Sequence, residues 1–349
     1  MTTAKKCPAC GGTMFFDPGW NRLVCQYCGT KKDIDELYED PAEEISISSA
    51  RALASRNWGV DTRNIRCAQC GAVTVNDALQ LAGCCPFCGS ATVVPAENDN
   101  EQLAPNAVIP FVVSKTHAEM YFKQWISKRS MAPSDIRDGS KIGDFQGVYI
   151  PYWTFDVNTA VSYQGKFGYE RGSGDNRYIK YYKKEGSFQK FVDDYPIAGS
   201  WRAINDPFIK KVSQYNTGEA RPYTSEALAG FVAEQYSIGL EDAWKQARQG
   251  ILHSLELQIK NNEAADVVSN LKYNYQFSDI KFKYVLVPVW LSSYTYRGKP
   301  YRIAINGQTG EVFGNWPRSF KILFIILGII GGATMLLLFM MMIARGFGR

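Results

Sequence analysis

Eight of the nine cysteines fall in four Cys-x-x-Cys pairs: Cys7 with Cys10, Cys25 with Cys28, Cys67 with Cys70, and Cys85 with Cys88. Two residues between thiolates let one tight turn present both sulfurs to the same metal, and the glycine that follows each pair supplies the open backbone such a turn needs. The pairs form two sets, each reading C-x2-C, fourteen residues, C-x2-C. That spacer is long enough for a hairpin that sets the second knuckle opposite the first. Four sulfurs close a tetrahedron around Zn²⁺ and leave no position for water or substrate, so the pattern predicts two structural zinc sites rather than catalytic ones. A redox Cys-x-x-Cys would be expected singly beside a βαβ pattern; an iron centre of rubredoxin type is the other reading of four thiolates. Cys84, next to Cys85, is expected to be a small buried side chain outside the ligand set.

Other chemistry is not legible. The chain has two histidines, His117 on a predicted helix face and His253 within a helical run, both expected as ordinary partly exposed side chains. No G-x-S-x-G elbow, phosphate-binding glycine loop or H-E-x-x-H occurs. Asp193-Asp194 is expected to be solvated near a turn. The expectation is a protein that is not an enzyme.

The elements that must position these cysteines follow from composition. The chain has 349 residues, 46% apolar, with a formal charge of +5; that permits nucleic-acid binding without demanding it. Residues 1–32 read as zinc ribbon one and 63–90 as zinc ribbon two. Lys5, Lys6, Arg22, Lys31 and Lys32 against Asp17 leave ribbon one basic even beside a four-thiolate zinc centre of charge about −2. Arg63 and Arg66 against Asp77 leave ribbon two without a face for phosphate. Between them, 33–62 is an acidic linker, with Asp33, Asp35, Glu36, Glu39, Asp40, Glu43 and Glu44 uninterrupted by any base; Ser46 to Trp58 within it suits a short helix or plain connecting chain. A second linker covers 91–106, polar from Glu97 to Glu101, so ribbons and body are expected to move separately.

From 107 to 317 the pattern changes to aromatic and β-branched runs, an α+β body. A helix is predicted from His117 to about Arg129, carrying Met120, Tyr121, Trp125 and Ile126. A longer pair is predicted over roughly 225–260, with Leu240, Ala243, Trp244, Ala247, Ile251, Leu255 and Ile259 on one face. Ile150-Pro151-Tyr152-Trp153 is echoed by Val287-Pro288-Val289-Trp290, which suggests two related β-units. Asn306-Gly307-Gln308-Thr309-Gly310 predicts a tight turn in a hairpin. The Tyr163 to Tyr195 segment interleaves aromatics with lysines; period-two alternation favours aromatics on a sheet face and lysines in water over a nucleic-acid or lipid-headgroup surface.

Residues 318–349 read as a membrane anchor and short tail. Ile322 to Ala344 is 23 uncharged residues, about 34 Å as a helix against a hydrocarbon core of about 30 Å. With Met1 to Lys6 lacking a secretory signal and the thiols suited to a reducing compartment, the expectation is a single-pass, tail-anchored protein of the cell membrane with its N-terminal bulk cytoplasmic. Gly328 and Gly332 have the spacing of a close-packing face, which predicts a homo-oligomer. The fold class expected is α+β: two small N-terminal zinc ribbons, a β-rich middle domain with a few helices, and one C-terminal transmembrane helix.

Paired ribbons, a Tyr- and Trp-rich body with Ile150-Pro-Tyr-Trp153 and Asn306-Gly-Gln-Thr-Gly-Glu-Val312, and a terminal apolar helix resemble bacterial membrane-anchored double zinc-ribbon proteins. These often carry transcription-factor-type zinc-ribbon or primosomal-helicase-like names. Helicase motor residues are missing here. The resemblance implies an adaptor in envelope stress or membrane maintenance, with the bilayer and with band-7 (SPFH) scaffold or phage-shock-type proteins as partners. The competing expectation is a tethered nucleic-acid binder acting through ribbon one and the basic aromatic hairpin.

Overall fold

A computed structural model describes residues 6–18, 22–33, 41–59, 62–77, 84–96, 102–137 and 144–346. Lys5, the acids Asp35, Glu36, Glu39 and Asp40, the Glu97 to Glu101 stretch and Arg349 lie outside the described residues.

In ribbon one, β1 (Met14–Asp17), β2 (Arg22–Cys25) and β3 (Lys31–Asp33) form a three-stranded antiparallel sheet of their own. Period two places Met14, Phe16, Leu23 and Cys25 on its buried face. The chain then reaches the body through β4 (Ile45–Ser46) and α1 (Ala50–Leu53), so the helix weighed for Ser46 to Trp58 is a single turn. Trp58 is buried edge-on to the rings of Tyr223 and Tyr284. The acidic run is not wholly solvated: Glu44 reaches Lys281 and Lys283.

Ribbon two contributes β5 (Thr62–Cys67), β6 (Val73–Asp77) and β7 (Val93–Pro95), and these belong to the main sheet. The body adds β8 (Ala107–Val108), α2 (Lys115–Ser127), α3 (Ser134–Arg137), β9 (Gln146–Arg171), β10 (Tyr178–Ala198), α4 (Trp201–Asn205) and α5 (Pro207–Lys211). There follow β11 (Arg221–Pro222), β12 (Val232–Glu234), α6 (Leu240–Asn262), β13 (Val267–Tyr296), β14 (Lys299–Asn306), β15 (Val312–Gly314) and α7 (Phe320–Gly346). The main sheet has 12 strands, in the order β11-β8-β13-β9-β12-β6-β5-β7, with β10 on β9, β14 and β4 on β13, and β15 on β14. The short β12 lies parallel to β9 and antiparallel to β6. Ribbon two is thus hydrogen-bonded into the body rather than moving apart from it.

The two echoing segments meet at the centre of this sheet: Ile150 pairs with Val287, and the flanking residues continue antiparallel in register. Both faces here are covered. Val148, Ile150, Val285, Val287 and Val289 pack beneath α4 and α5, while Tyr149, Trp153, Tyr284 and Trp290 belong to the larger core on the other side. The helix predicted at His117 begins at Lys115 because the Ser114 hydroxyl accepts the His117 N–H at 3.2 Å. Its buried residues are Ala118, Phe122 and Ile126, with Met120 turned outward. The predicted helix pair over 225–260 resolves into a 3-10 turn at Ser225–Leu228, β12 and a single helix, α6. The expected stripe Ala243, Ala247, Ile251, Leu255 and Ile259 is its buried face. The predicted tight turn closes β14 onto β15, with Asn306 Oδ1 accepting the Gln308 and Thr309 N–H groups.

Strand β9 has 26 residues and β13 has 30, lengths of about 85 and 100 Å at 3.3 Å per residue. Their outer halves, with β10, run past the core as a three-stranded arm backed by α6. Alternation holds where α6 covers the arm, with Phe188 and Val192 turned inward. Beyond the end of α6 it fails: Tyr178, Tyr181 and Tyr182 are all exposed.

The expected membrane helix requires correction. Among the described residues no helix is long and apolar enough to cross a membrane. Helix α7 forms over Phe320–Gly346, and its described side chains from Leu327 to Ile343 are exposed. The single-pass anchor and the cell-membrane location with cytoplasmic bulk fall with it. Gly328 and Gly332 sit on this exposed helix, where among the described residues a Cβ added at either would meet nothing within 4 Å beyond the helix's own backbone and its chain neighbours. The fold is α+β with two cysteine-clustered ribbons and a large β-rich body.

Candidate metal centres

All four Cys-x-x-Cys knuckles close the same way. The N–H of the following glycine donates to the first cysteine's carbonyl at 2.9 Å in each (Gly11 to Cys7, Gly29 to Cys25, Gly71 to Cys67, Gly89 to Cys85). These glycines have φ between +71° and +74°, a conformation that an L side chain rarely adopts. The knuckles face each other in pairs. Cys7 and Cys28 sulfurs lie 3.4 Å apart and Cys10 and Cys25 3.5 Å; Cys67 and Cys88, like Cys70 and Cys85, lie 3.6 Å apart. Within each group of four, every sulfur is within 4.8 Å of the others.

A tetrahedral site with Zn–S bonds of about 2.3 Å has edges of about 3.8 Å, so both groups fit zinc in number, softness and spacing. The electrostatics agree. The Thr30 hydroxyl and N–H hold Cys28 down to about 6. The Gly12 amide lowers Cys10, but the Cys28 and Cys25 sulfurs override it and push that thiol up to about 12. Burial pushes Cys85 up. Sulfurs this close resist carrying charge together, and a dication removes that conflict. Cys84 corrects one expectation: it is exposed, not buried, and lies outside both groups.

Each site is secured differently. In ribbon one the Phe16 N–H donates to the Ala229 carbonyl at 3.0 Å, and the Phe16 ring packs on Phe231. In ribbon two a buried network from α4 and β12 reaches the knuckles. Arg202 donates to the Cys70 carbonyl at 3.1 Å, lies 4.5 Å over the Phe87 ring and donates to Glu234 Oε1 at 3.2 Å. Ser200 donates to Glu234 Oε2 at 2.9 Å. Burial pushes Glu234 up to about 7, against the pull of Arg202 and Ser200. Sequence reasoning singled out none of these three residues.

It also missed a buried lysine. Lys283 lies 2.7 Å from Asp194, 3.3 Å from Glu44 and 3.7 Å from Asp156. Asp194, expected in solvent, sits at a register shift in β10 with φ +46°. The cluster fastens β4 to the base of the arm. His253 is exposed and within 4.0 Å of Glu256, and His117 lies beside the Tyr121 ring; neither approaches the cysteines of either group.

A Bacillus subtilis (strain 168) protein described as "Uncharacterized protein YdjG" is 31% identical over 356 residues, covering 99% of this chain and 100% of that protein. The chain belongs to the YdjG family. No protein-family model matches it, and no solved structure does. In this member of the YdjG family, eight cysteines form two groups of four that are compatible with two zinc sites.

Proposed function

We propose that the protein is a non-enzymatic scaffold in which two structural zinc centres brace a β platform that presents an extended arm to protein partners. Cys7, Cys10, Cys25 and Cys28 hold one zinc, and Cys67, Cys70, Cys85 and Cys88 the other. With all four positions of each metal taken by sulfur, zinc supplies stability and no Lewis-acid site. The observation that carries the reading is the arm. Among the described residues its outer strands, β10 and the part of β13 from Val267 to Ile280, have no strand neighbour except β9. Tyr181 and Phe191 stand exposed on its face. Long unpaired edges beside exposed aromatics suit strand addition or flat packing by another protein. From the resemblance, the first partners to try are band-7 (SPFH) scaffold and phage-shock-type proteins.

The test is binding of the purified full-length chain to each purified candidate. Tyr181→Glu with Phe191→Glu is expected to weaken the complex by about tenfold or more. Leu257→Glu, on the exposed face of α6, leaves it intact. A complex indifferent to the arm variants would sink the reading. The second reading rests on the arm's tip, where Tyr178, Tyr181 and Tyr182 are exposed beside Lys180 and Lys183. It makes the tip a nucleic-acid surface, and salt-steep binding of single-stranded DNA or RNA lost in Lys180→Ala with Lys183→Ala would favour it.

A further inference from the structure

Among the described residues, β10 and the Val267 to Ile280 part of β13 give the arm two free edges, and the two are not alike. The β10 edge is studded with charge: Lys180, Lys183, Lys184, Glu185 and Lys190 fall in the stretch that pairs with β9 without a shift from Tyr178 to Val192. Charged side chains, lysine above all, keep a sheet edge from recruiting another strand. The β13 edge lacks that guard. From Lys272 to Ser278 it reads Lys-Tyr-Asn-Tyr-Gln-Phe-Ser, with Lys272 its one charge and neither proline nor glycine, a composition that favours strand pairing.

Two bulges bound this segment. The register of β13 on β9 shifts between Ser269 and Lys272 and again between Ser278 and Lys281, and Asn270 (φ +53°) and Asp279 (φ +49°) sit at these shifts in the left-handed region. A twofold axis through Tyr275 therefore carries the segment onto itself and each bulge onto the other. In an antiparallel pair about that axis Tyr275 faces Tyr275, Tyr273 faces Phe277, Asn274 faces Gln276 and Lys272 faces Ser278. The rings lie on the face that α6 covers, where Arg248 donates to the Tyr275 hydroxyl at 2.8 Å and Trp244 packs edge-on to Phe277. Asn274 and Gln276 stand on the exposed face. Aromatic meets aromatic, amide meets amide and no like charges are opposed, which is what favourable cross-strand pairs require.

We propose that two copies of this chain join along β13, the Lys272 to Ser278 segment of one pairing antiparallel with the same segment of the other about Tyr275, so that their arms form one continuous sheet. Such an isologous contact consumes the unguarded edge of both copies and stops at a dimer. The proposal rests on the reading of the arm as a binding element and gives this edge to a second copy, leaving β10 with Tyr181 and Phe191 to other proteins.

Sedimentation equilibrium of the full-length, zinc-loaded protein reads the association, with the exposed apolar side chains of α7 covered by a density-matched non-ionic detergent. A contact this short lies at the small end of specific interfaces, so the wild-type chain is expected to dimerise with a Kd of about 10 µM. Asn274→Lys with Gln276→Lys sets lysine against lysine twice across the axis and should weaken the dimer about tenfold or more. Asn274→Lys with Gln276→Glu sets each lysine against a glutamate of the other copy and should return the Kd to within about threefold of wild type. Both positions are exposed in the single chain, so zinc content and circular dichroism stay unchanged in either variant. The proposal is overturned if the wild-type chain is monomeric up to about 200 µM, if the double-lysine variant dimerises as the wild type does, or if the lysine–glutamate variant dimerises no more tightly than the double-lysine one. With no other protein in the cell, none of these outcomes bears on partner binding through Tyr181 and Phe191.

Discussion

Ribbon one and ribbon two share their ligand spacing and their knuckle geometry, yet they are joined to the molecule in different ways. Ribbon one keeps a three-stranded sheet to itself and leans on the body through Phe16. Ribbon two gives its three strands to the main sheet, and its knuckles are gripped by Arg202 from α4. The same metal arithmetic thus produces a docked module in one case and a structural part of the body in the other. What distinguishes them is β12, whose three residues pair with ribbon two on one side while Val232 and Ala233 pair with β9 on the other.

The comparison breaks most sharply by removing one metal at a time. Cys70→Ser with Cys85→Ser should abolish site two and free β6 to leave β12. Amide exchange at Val232–Glu234 is expected to rise by about tenfold or more, with an apparent stability loss of several kcal/mol. Cys10→Ser with Cys25→Ser should expose the Phe16 amide while leaving protection at Val232–Glu234 unchanged. Equal loss of protection there in both variants would mean that the two ribbons are coupled alike.

Next in size is Arg202→Ala. It strips the Cys70 carbonyl of a donor, uncovers Phe87 and leaves Glu234 buried without its cation, a change costing about 3–5 kcal/mol. Zinc should leave site two about 10–100 times faster in a chelator competition, and site one should keep its rate. Arg202→Lys keeps the charge but not the guanidinium's reach to both Cys70 and Glu234, so it should recover only part of the loss.

These contrasts explain what could be read from the chain and what could not. The ligands were legible because each knuckle is local: four residues and a glycine carry the signal. The grip of Arg202 on Cys70 spans 132 positions, and no spacing rule joins α4 to a cysteine turn. The α6 stripe was legible because a helix packing along a sheet must repeat near 3.6 residues. The single turn at Ser225–Leu228 was not, because its apolar residues suit a helix as well as a loop. Cys84 misled because Cys85 turns inward to its sulfur partners, and adjacent side chains on extended chain point to opposite sides. Asp194 looked solvated because the left-handed kink that turns it toward Lys283 leaves no mark in a pair of aspartates. The apolar run from Ile322 was read from its length and its lack of a polar side; it does form a helix, yet among the described residues no helix is long and apolar enough to cross a membrane.

Glu234 gives a smaller test with a fixed sign. Burial holds its carboxyl near 7 in the folded chain, above its ordinary value of 4.5. Between about 4.5 and 7 the folded state therefore keeps a proton that the unfolded state releases, and this group's contribution to stability falls as pH rises through that window. Glu234→Gln keeps partners for Ser200 and Arg202 but has no proton to lose. Measured against wild type, its relative stability should climb by on the order of 3 kcal/mol from pH 4.5 to above 7. Thiolate protonation at the zinc sites acts on both proteins and cancels from the difference. A flat difference would mean that Arg202 holds Glu234 charged throughout.

The smallest expected effect separates the ribbons at one matched position, the residue two after the last cysteine. In ribbon one this is Thr30, whose hydroxyl lies 3.1 Å from the Cys28 sulfur. In ribbon two it is Ser90, whose hydroxyl instead accepts the Thr92 N–H at 3.1 Å. Thr30→Val removes a hydrogen bond from a thiolate ligand at nearly constant shape, at a cost of about 1 kcal/mol, and should weaken zinc at site one by about fivefold. Ser90→Ala costs a turn contact and should leave zinc affinity at site two unchanged. If both substitutions weakened their sites equally, the two hydroxyls would serve one purpose, and the contrast between a self-supported ribbon and a body-supported one would end at Arg202.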